Sequence, residues 1–249
     1  METIRLNDIS TRAPQDLDKA GTKEATAEIL KELNELQNLL YAGSEHSLLV
    51  ILQGMDASGK DSLIRDVFTS MNPQGVMITS FKEPTSEELS HDFLWRIHKH
   101  APARGMIRVF NRSHYEDVLV TRVHGIIDDH TAKRRMRAIN DFERLLRMHS
   151  NTQILKFYLH VSPERQQERL EERLNDPSKM WKYNAKDKME ASMREEYIRC
   201  YEEVFDYCKE TPWHIIPSDQ NWYKGYLVAK TIKDALEELD MKWPGMNRE

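Results

Sequence analysis

The stretch Gly54-Met55-Asp56-Ala57-Ser58-Gly59-Lys60-Asp61-Ser62 constrains this chain more than any other. It follows a short apolar run, Leu48 to Leu52, and precedes an amphipathic stretch, Ser62 to Met71. A strand, a loop with glycine at both ends and then a helix is the setting of a phosphate-binding P-loop. Backbone N–H groups of such a loop converge on an anion, and the helix N-terminus adds partial positive charge. Gly54, Ala57, Ser58, Gly59, Asp61 and Ser62 are therefore phosphate-binding candidates, and Lys60 reaches the phosphate oxygens as a point charge. The spacing departs from the usual pattern in one place: Asp61 stands where Ser or Thr is common, and Ser62 follows it. The bland alternative is a glycine turn between a buried strand and a helix.

The pattern around this loop alternates strand and helix. Apolar strands are expected at Leu48–Leu52, Gly75–Phe81, Met106–Phe110, Gln153–Leu159 and Trp213–Ile216. Helices are expected at Ala25–Leu40, after the P-loop, from Ser86 to about His100, and over Thr131–Met148. Three more are expected from Ser162-Pro163 to about Leu174, over Lys186–Lys209, and over Asn221–Leu239. Met1 to Thr22 reads as a polar, extended arm. Such alternation gives an α/β fold, a parallel sheet covered by helices on both faces, with ligands at the carboxyl ends of the strands. With 249 residues, one kinase-sized domain at 47–249 is expected, preceded by an arm and helix at 1–46.

A formal charge of −5 argues against a nucleic-acid binder that works by bulk charge, so anionic substrates need local basic clusters. The N-terminus has no apolar h-region, no run reaches membrane-spanning length, and Cys200 and Cys208 lack metal or redox spacing. A cytoplasmic protein without membrane partners is expected.

Asp56 lies between the two glycines. A carboxylate beside phosphate is repulsive unless a cation or proton intervenes, so Asp56 is a candidate to hold Mg2+ or to accept a proton. The alternative is a loop carboxylate that caps a backbone N–H. After the third strand, Asn111 stands where a P-loop ATPase carries an acid, followed by Arg112, with Glu116 and Asp117 about one turn beyond Ser113. Those two acids can equally be favourable charge in a helix's first turn. Arg165, Arg169 and Arg173 share one helix face, and Lys179, Lys182, Lys186 and Lys188 follow. This stripe suits a chain of phosphates, but interleaved glutamates also permit ordinary surface ion pairs.

Taken together, Gly54–Asp61, Phe110-Asn111-Arg112-Ser113-His114-Tyr115-Glu116-Asp117-Val118-Leu119-Val120, Arg169–Arg173 with Asp176–Lys182, and Trp213–Tyr223 resemble the second family of polyphosphate kinases. The likeness is greatest to its class III subgroup, which phosphorylates both AMP and ADP. The resemblance implies a fold similar to thymidylate kinase with a helical lid at about 164–190, and Mg2+, with Mn2+ as the substitute. Inorganic polyphosphate is the implied donor and adenine nucleotides the acceptors, with guanine nucleotides left open. It assigns Asp56, Lys60, Arg112 and Asp117 to catalysis, with Asp56 and Asp117 as metal or acceptor ligands. Asn111 and Glu116 fall to the acceptor side, and Arg122, Arg169, Arg173, Lys179 and Lys182 to the polyphosphate path. A homo-oligomer, dimer or tetramer, is also implied. An ATP-dependent nucleoside monophosphate kinase of the same fold is the rival. A GTPase-like switch lacks its Asn-Lys base-reading motif here.

Overall fold

The computed structural model describes residues 4–246. The chain runs α1 (Lys19–Gly43), β1 (Ser47–Gln53), α2 (Lys60–Phe68), β2 (Val76–Ser80), α3 (Ser86–Leu89), α4 (Trp95–His98) and β3 (Ile107–Asn111). It continues with α5 (Glu116–Val123), α6 (Asp129–Ser150), β4 (Thr152–His160), α7 (Pro163–Asn175), α8 (Asp187–Ser192), α9 (Arg194–Tyr207), β5 (Trp213–Pro217) and α10 (Asn221–Glu237). All strand pairings are parallel and the order is β2-β3-β1-β4-β5.

Alternation along β1 explains both layers. Leu49 and Ile51 face a core built with α5, α6 and α9, whereas Leu48, Val50 and Leu52 face one built with α1, α2 and α10. β1 is thus buried along its whole length, as a central parallel strand must be. From β1 the chain goes outward to β2, back to β3, and then across to β4. The crevice at the carboxyl end of β1 is this switch point, and the P-loop occupies it.

Three expectations are corrected. The helix expected from Ser86 to His100 is two short ones. Thr85 and Glu88 form a capping box at α3, and Asp92 accepts from Leu94 N–H at 3.0 Å to start a new turn before α4. The helix expected over Lys186–Lys209 breaks at Met193, where Ser192 Oγ turns back onto Met189 O (2.7 Å). The N-terminal arm, whose residues 1–3 lie outside the described residues, is tied down. Leu6 is fully buried and its N–H donates to Glu202, while Thr11 Oγ1 donates to Asp219 and Ala13 N–H to Gln220, each at 2.8 Å. The arm's segment from Lys19 already belongs to α1, capped by Asp18.

β4 holds a charge where its pattern suggests only apolar residues. Lys156 is fully buried and donates to Glu143 Oε2, Tyr115 Oη and the Cys208 carbonyl, all at 2.9 Å. Burial pushes the Glu143 carboxyl up, but the Lys156 charge and the His114 hydrogen bond outweigh it and hold the group low. Removing one partner of such a pair leaves the other charge buried and uncompensated. Lys156→Met is expected to lower the unfolding free energy in urea by about 3–5 kcal/mol. Adding Glu143→Leu should return much of that loss; no recovery in the double variant would show that packing, not charge, sets the cost.

Candidate active site

The P-loop takes its shape from two glycines. At Gly54 (φ +147°) a Cβ would stand 2.9 Å from Leu159 O, and at Gly59 (φ +95°) it would stand 2.4 Å from Lys224 Nζ. Gly54 is fixed by a backbone oxygen as well as its φ, and Gly59 by its left-handed φ, which other residues adopt only under strain. Lys60 opens α2, and its ammonium folds back onto the loop, donating to Gly54 O (2.7 Å) and Met55 O (3.1 Å). Burial, reinforced by the nearby Arg112 charge, lowers its pKa to about 8. Ser58 is buried with its hydroxyl beside this ammonium, and Ser62 Oγ donates to Gly59 O at 2.9 Å.

Arg112 follows β3 in a left-handed conformation (φ +60°), with its N–H on Leu52 O, the strand that feeds the P-loop. This positive φ turns its side chain across the loop mouth. There the guanidinium pairs with Asp56 and with Glu116 Oε2 (3.1 Å). The Glu116 charge, working against burial and aided by Asp56, raises the Arg112 pKa further. With its amide turned to satisfy its neighbours, Gln53 accepts from Ser113 Oγ (3.0 Å) and donates to Glu116 Oε1 (2.9 Å), which engages both Glu116 oxygens. On the other side of the mouth, Asn111 Nδ2 donates to Asp61 Oδ1 (2.9 Å) and Ser80 Oγ (3.3 Å), while Lys182 reaches Asp61 Oδ2 (3.4 Å). Burial raises the Asp61 carboxyl, but those two partners outweigh it and leave it lowered.

The structure thus brings together Asp56, Lys60, Arg112, Glu116, Asp61, Asn111 and Lys182. It separates others. Asp117, paired with Arg96 at 3.2 Å, is shifted upward by burial, with Arg96 opposing; it and Asp56 have different arginine partners. Among the described residues no group of three His, Cys, Asp or Glu side chains is placed to hold a metal. Arg122 is not at the loop mouth: six residues beyond Glu116 on α5, about 9 Å along the axis, it is held by Asp129 (2.8 Å) and Glu203 (2.7 Å). Arg173 bridges to Asp187 on α8 (2.6 Å) and Lys179 pairs with Glu172 and Asp176. Arg169, by contrast, reaches the loop from behind, donating to Ala57 O (3.0 Å) and Ser58 O (2.9 Å) as well as Ser218 O (2.8 Å).

Two groups at the loop escaped the sequence reading. Arg194, first residue of α9, donates to Gln166 Oε1 (2.7 Å), and Gln166 Nε2 donates to Asp56 O (3.0 Å). Lys224 is fully buried beneath Gly59. A signal for it did exist: 224, 228 and 232 form one stripe of α10, so a lysine stands in line with Val228 and Ile232 of the core.

A P-loop at the switch point of a parallel sheet, with lysine and arginine at its mouth, defines a phosphotransferase of the P-loop kinase class. Residues 16–244 match the family described as Polyphosphate kinase 2 (PPK2). The chain is 44% identical over 231 residues to an AMP/ADP-polyphosphate phosphotransferase of Meiothermus ruber, covering 91% of this chain and 85% of that one. It is 39% identical over 242 residues to an ADP-polyphosphate phosphotransferase of Rhodopseudomonas palustris, covering 90% and 83%. The crystal structure of polyphosphate kinase 2 from Arthrobacter aurescens TC1 superposes with a TM-score of 0.94 at 41% identity, covering 99% of this chain and 89% of that one. The chain belongs to the polyphosphate kinase 2 family.

The glycine geometry makes a direct prediction. Gly59→Ala should cost about 1–2 kcal/mol of stability from the left-handed backbone. It should reduce phosphoryl transfer far more, by about 100-fold or greater, because the displaced N–H groups no longer converge. Circular dichroism melts beside initial rates measure both; an active Gly59→Ala enzyme would remove the loop from the site.

Proposed function

We propose that this chain transfers the terminal phosphoryl group of inorganic polyphosphate to AMP and to ADP, giving ADP and ATP. The observation that carries the reading is the extensive identity with the Meiothermus ruber protein, described as acting with both acceptors. Local geometry supports it: Glu116 joins Asp56 on Arg112, and Lys60 stands in the same loop.

In the reaction, an oxygen of the acceptor's terminal phosphate attacks the end phosphorus of the chain. The bond from that phosphorus to its bridging oxygen breaks, and the shortened polyphosphate leaves with the electron pair. The transition state is loose, so alignment and charge compensation dominate. Lys60 exchanges the Gly54 and Met55 carbonyls for phosphate oxygens. Arg112 exchanges Asp56 for phosphate while Glu116, anchored by Gln53, keeps the guanidinium in place. Asp56 is then free for a cation. A hard cation held by one carboxylate and several phosphate oxygens suits this donor set, and Mg2+ fits it, with Mn2+ the substitute. Held by Asp56, such a cation would supply compensation for the phosphate charge.

We assign residues 164–190 to a lid over a kinase domain of residues 47–249, hinged where Gln166 and Arg169 hold the loop carbonyls and meeting the loop again through Lys182 on Asp61. Arg173 and Lys179 lie along this segment and belong to the polyphosphate path; Asn111 and Glu116 belong to the acceptor side. Among the described residues no helix is long and apolar enough to cross a membrane, and both cysteines are free and buried. A cytoplasmic setting, and assembly with further copies as dimer or tetramer, complete the proposal.

Purified protein incubated with AMP, long-chain polyphosphate and Mg2+, without ATP, should yield ADP and then ATP on chromatography. Turnover only when ATP is the donor would hand the site to a nucleoside monophosphate kinase. Lys60→Met should fold normally and lose about 10³-fold in turnover. The Lys60 pKa of about 8 in the free protein rises when phosphate binds. Its contribution to affinity is therefore constant below pH 8 and declines as pH climbs above it. Calorimetric titration with inorganic tripolyphosphate checks this: the ratio of wild-type to Lys60→Met affinity should be constant below pH 8 and shrink above it.

A further inference from the structure

Lys224 lies outside every assignment made so far. It projects from the first turn of α10, is fully buried, and donates to Gly59 O (2.9 Å), Ser62 Oγ (3.2 Å) and Asn221 Oδ1 (3.2 Å). All three acceptors are neutral. Among the described residues no carboxylate lies within ion-pair distance of its Nζ. A buried ammonium without a counter-ion is costly, and neutral acceptors offset only part of that cost.

Its neighbour Arg169 holds the two preceding carbonyls, Ala57 O and Ser58 O, with one nitrogen. Three consecutive carbonyls of the loop are thus pinned by two cations, from α7 and α10. In a planar trans peptide, the C=O of one residue and the N–H of the next point in opposite directions. Holding the Ser58 and Gly59 carbonyls toward α7 and α10 turns the N–H groups of Gly59 and Lys60 the other way. Lys224 Nζ lies on the side of Gly59 where a Cβ would stand, so the ammonium packs directly on the glycine.

We infer that Lys224 is a positioning residue for phosphate binding: with Arg169 it sets the peptide orientation of the P-loop from behind and supplies an uncompensated charge that the donor's phosphates complete. The inference rests on the proposed phosphate-donor site but not on which donor occupies it. The charged groups that face Lys224 are Arg169 and Arg165 on α7 and Lys60 and Asp66 on α2. Burial and then Arg169 lower its pKa to about 7 in the free protein. An arriving phosphate favours the charged form, so donor binding takes up a proton once pH exceeds 7.

Lys224→Met and Lys224→Arg test this with inorganic tripolyphosphate as the probe, by calorimetry from pH 6 to 9 alongside steady-state kinetics. Lys224→Met should weaken tripolyphosphate about 10- to 100-fold at pH 6.5 and raise the KM for polyphosphate similarly, while the KM for ADP stays within about twofold. The ratio of wild-type to variant affinity cancels the ligand's own titration and should shrink between pH 7 and 8. Lys224→Arg, which keeps the charge, should recover part of the affinity. A merely structural lysine would give a lowered melting temperature with unchanged donor KM and a pH-independent ratio, and either result overturns the inference. If wild-type protein binds tripolyphosphate but turns over only with ATP, the polyphosphate reading fails, and the Lys224 comparison is then read with ATP as donor.

Discussion

Cations crowd a single loop in this protein, and each must be held before any phosphate arrives. Lys60 rests on the carbonyls of Gly54 and Met55, Arg169 and Lys224 on those of Ala57, Ser58 and Gly59, and Arg112 on Asp56 and Glu116. Carbonyl dipoles compensate a buried ammonium only partly, which is why both lysines titrate far below an exposed lysine. Phosphate oxygens can replace the carbonyl contacts of Lys60 with charge-assisted ones. On the proposed reading, a polyanion would exchange weak partners for strong ones at this loop.

That exchange depends on a rigid frame. β1 delivers the loop and β3 delivers Arg112, and the two strands are paired in register up to Leu52 and Asn111. A left-handed non-glycine residue costs about 1–2 kcal/mol, which the Arg112 fork on two carboxylates and its N–H bond to Leu52 offset. Behind it, Tyr115 is clamped by Lys156 and Glu143 in the core. The segment between β3 and α5 is fixed at both ends, so the distance between Arg112 and the loop follows from the packing of the sheet.

The sheet and most helices were legible because their signals are local: apolar runs for strands, a helical stripe for α6 and α10, Ser162-Pro163 for the start of α7. The P-loop was legible for the same reason. What escaped is set by partners distant in sequence. Nothing near Met193 announces a break, since it comes from a side-chain bond back to Met189 and the anchoring of Arg194 by α7. Lys156 and Lys224 read as exceptions to apolar patterns, and only the fold reveals their acceptors. Arg122, which the family resemblance assigns to the polyphosphate path, stands between Asp129 and Glu203, two partners that only the fold reveals.

Asn111 shows how one departure from a motif can require another. Asp61 takes the place of the usual hydroxyl residue and puts a carboxylate beside a phosphate site. Its two oxygens are shielded by the Asn111 amide and the Lys182 ammonium. An aspartate at 111 would set two carboxylates within hydrogen-bonding distance of each other, and one would have to take up a proton or share a cation. With the neutral amide, Asp61 stays ionised and ties the end of β3 to the segment that carries Lys182. The neutral residue that follows Val109-Phe110 in this chain is thus the partner that an acid at position 61 demands.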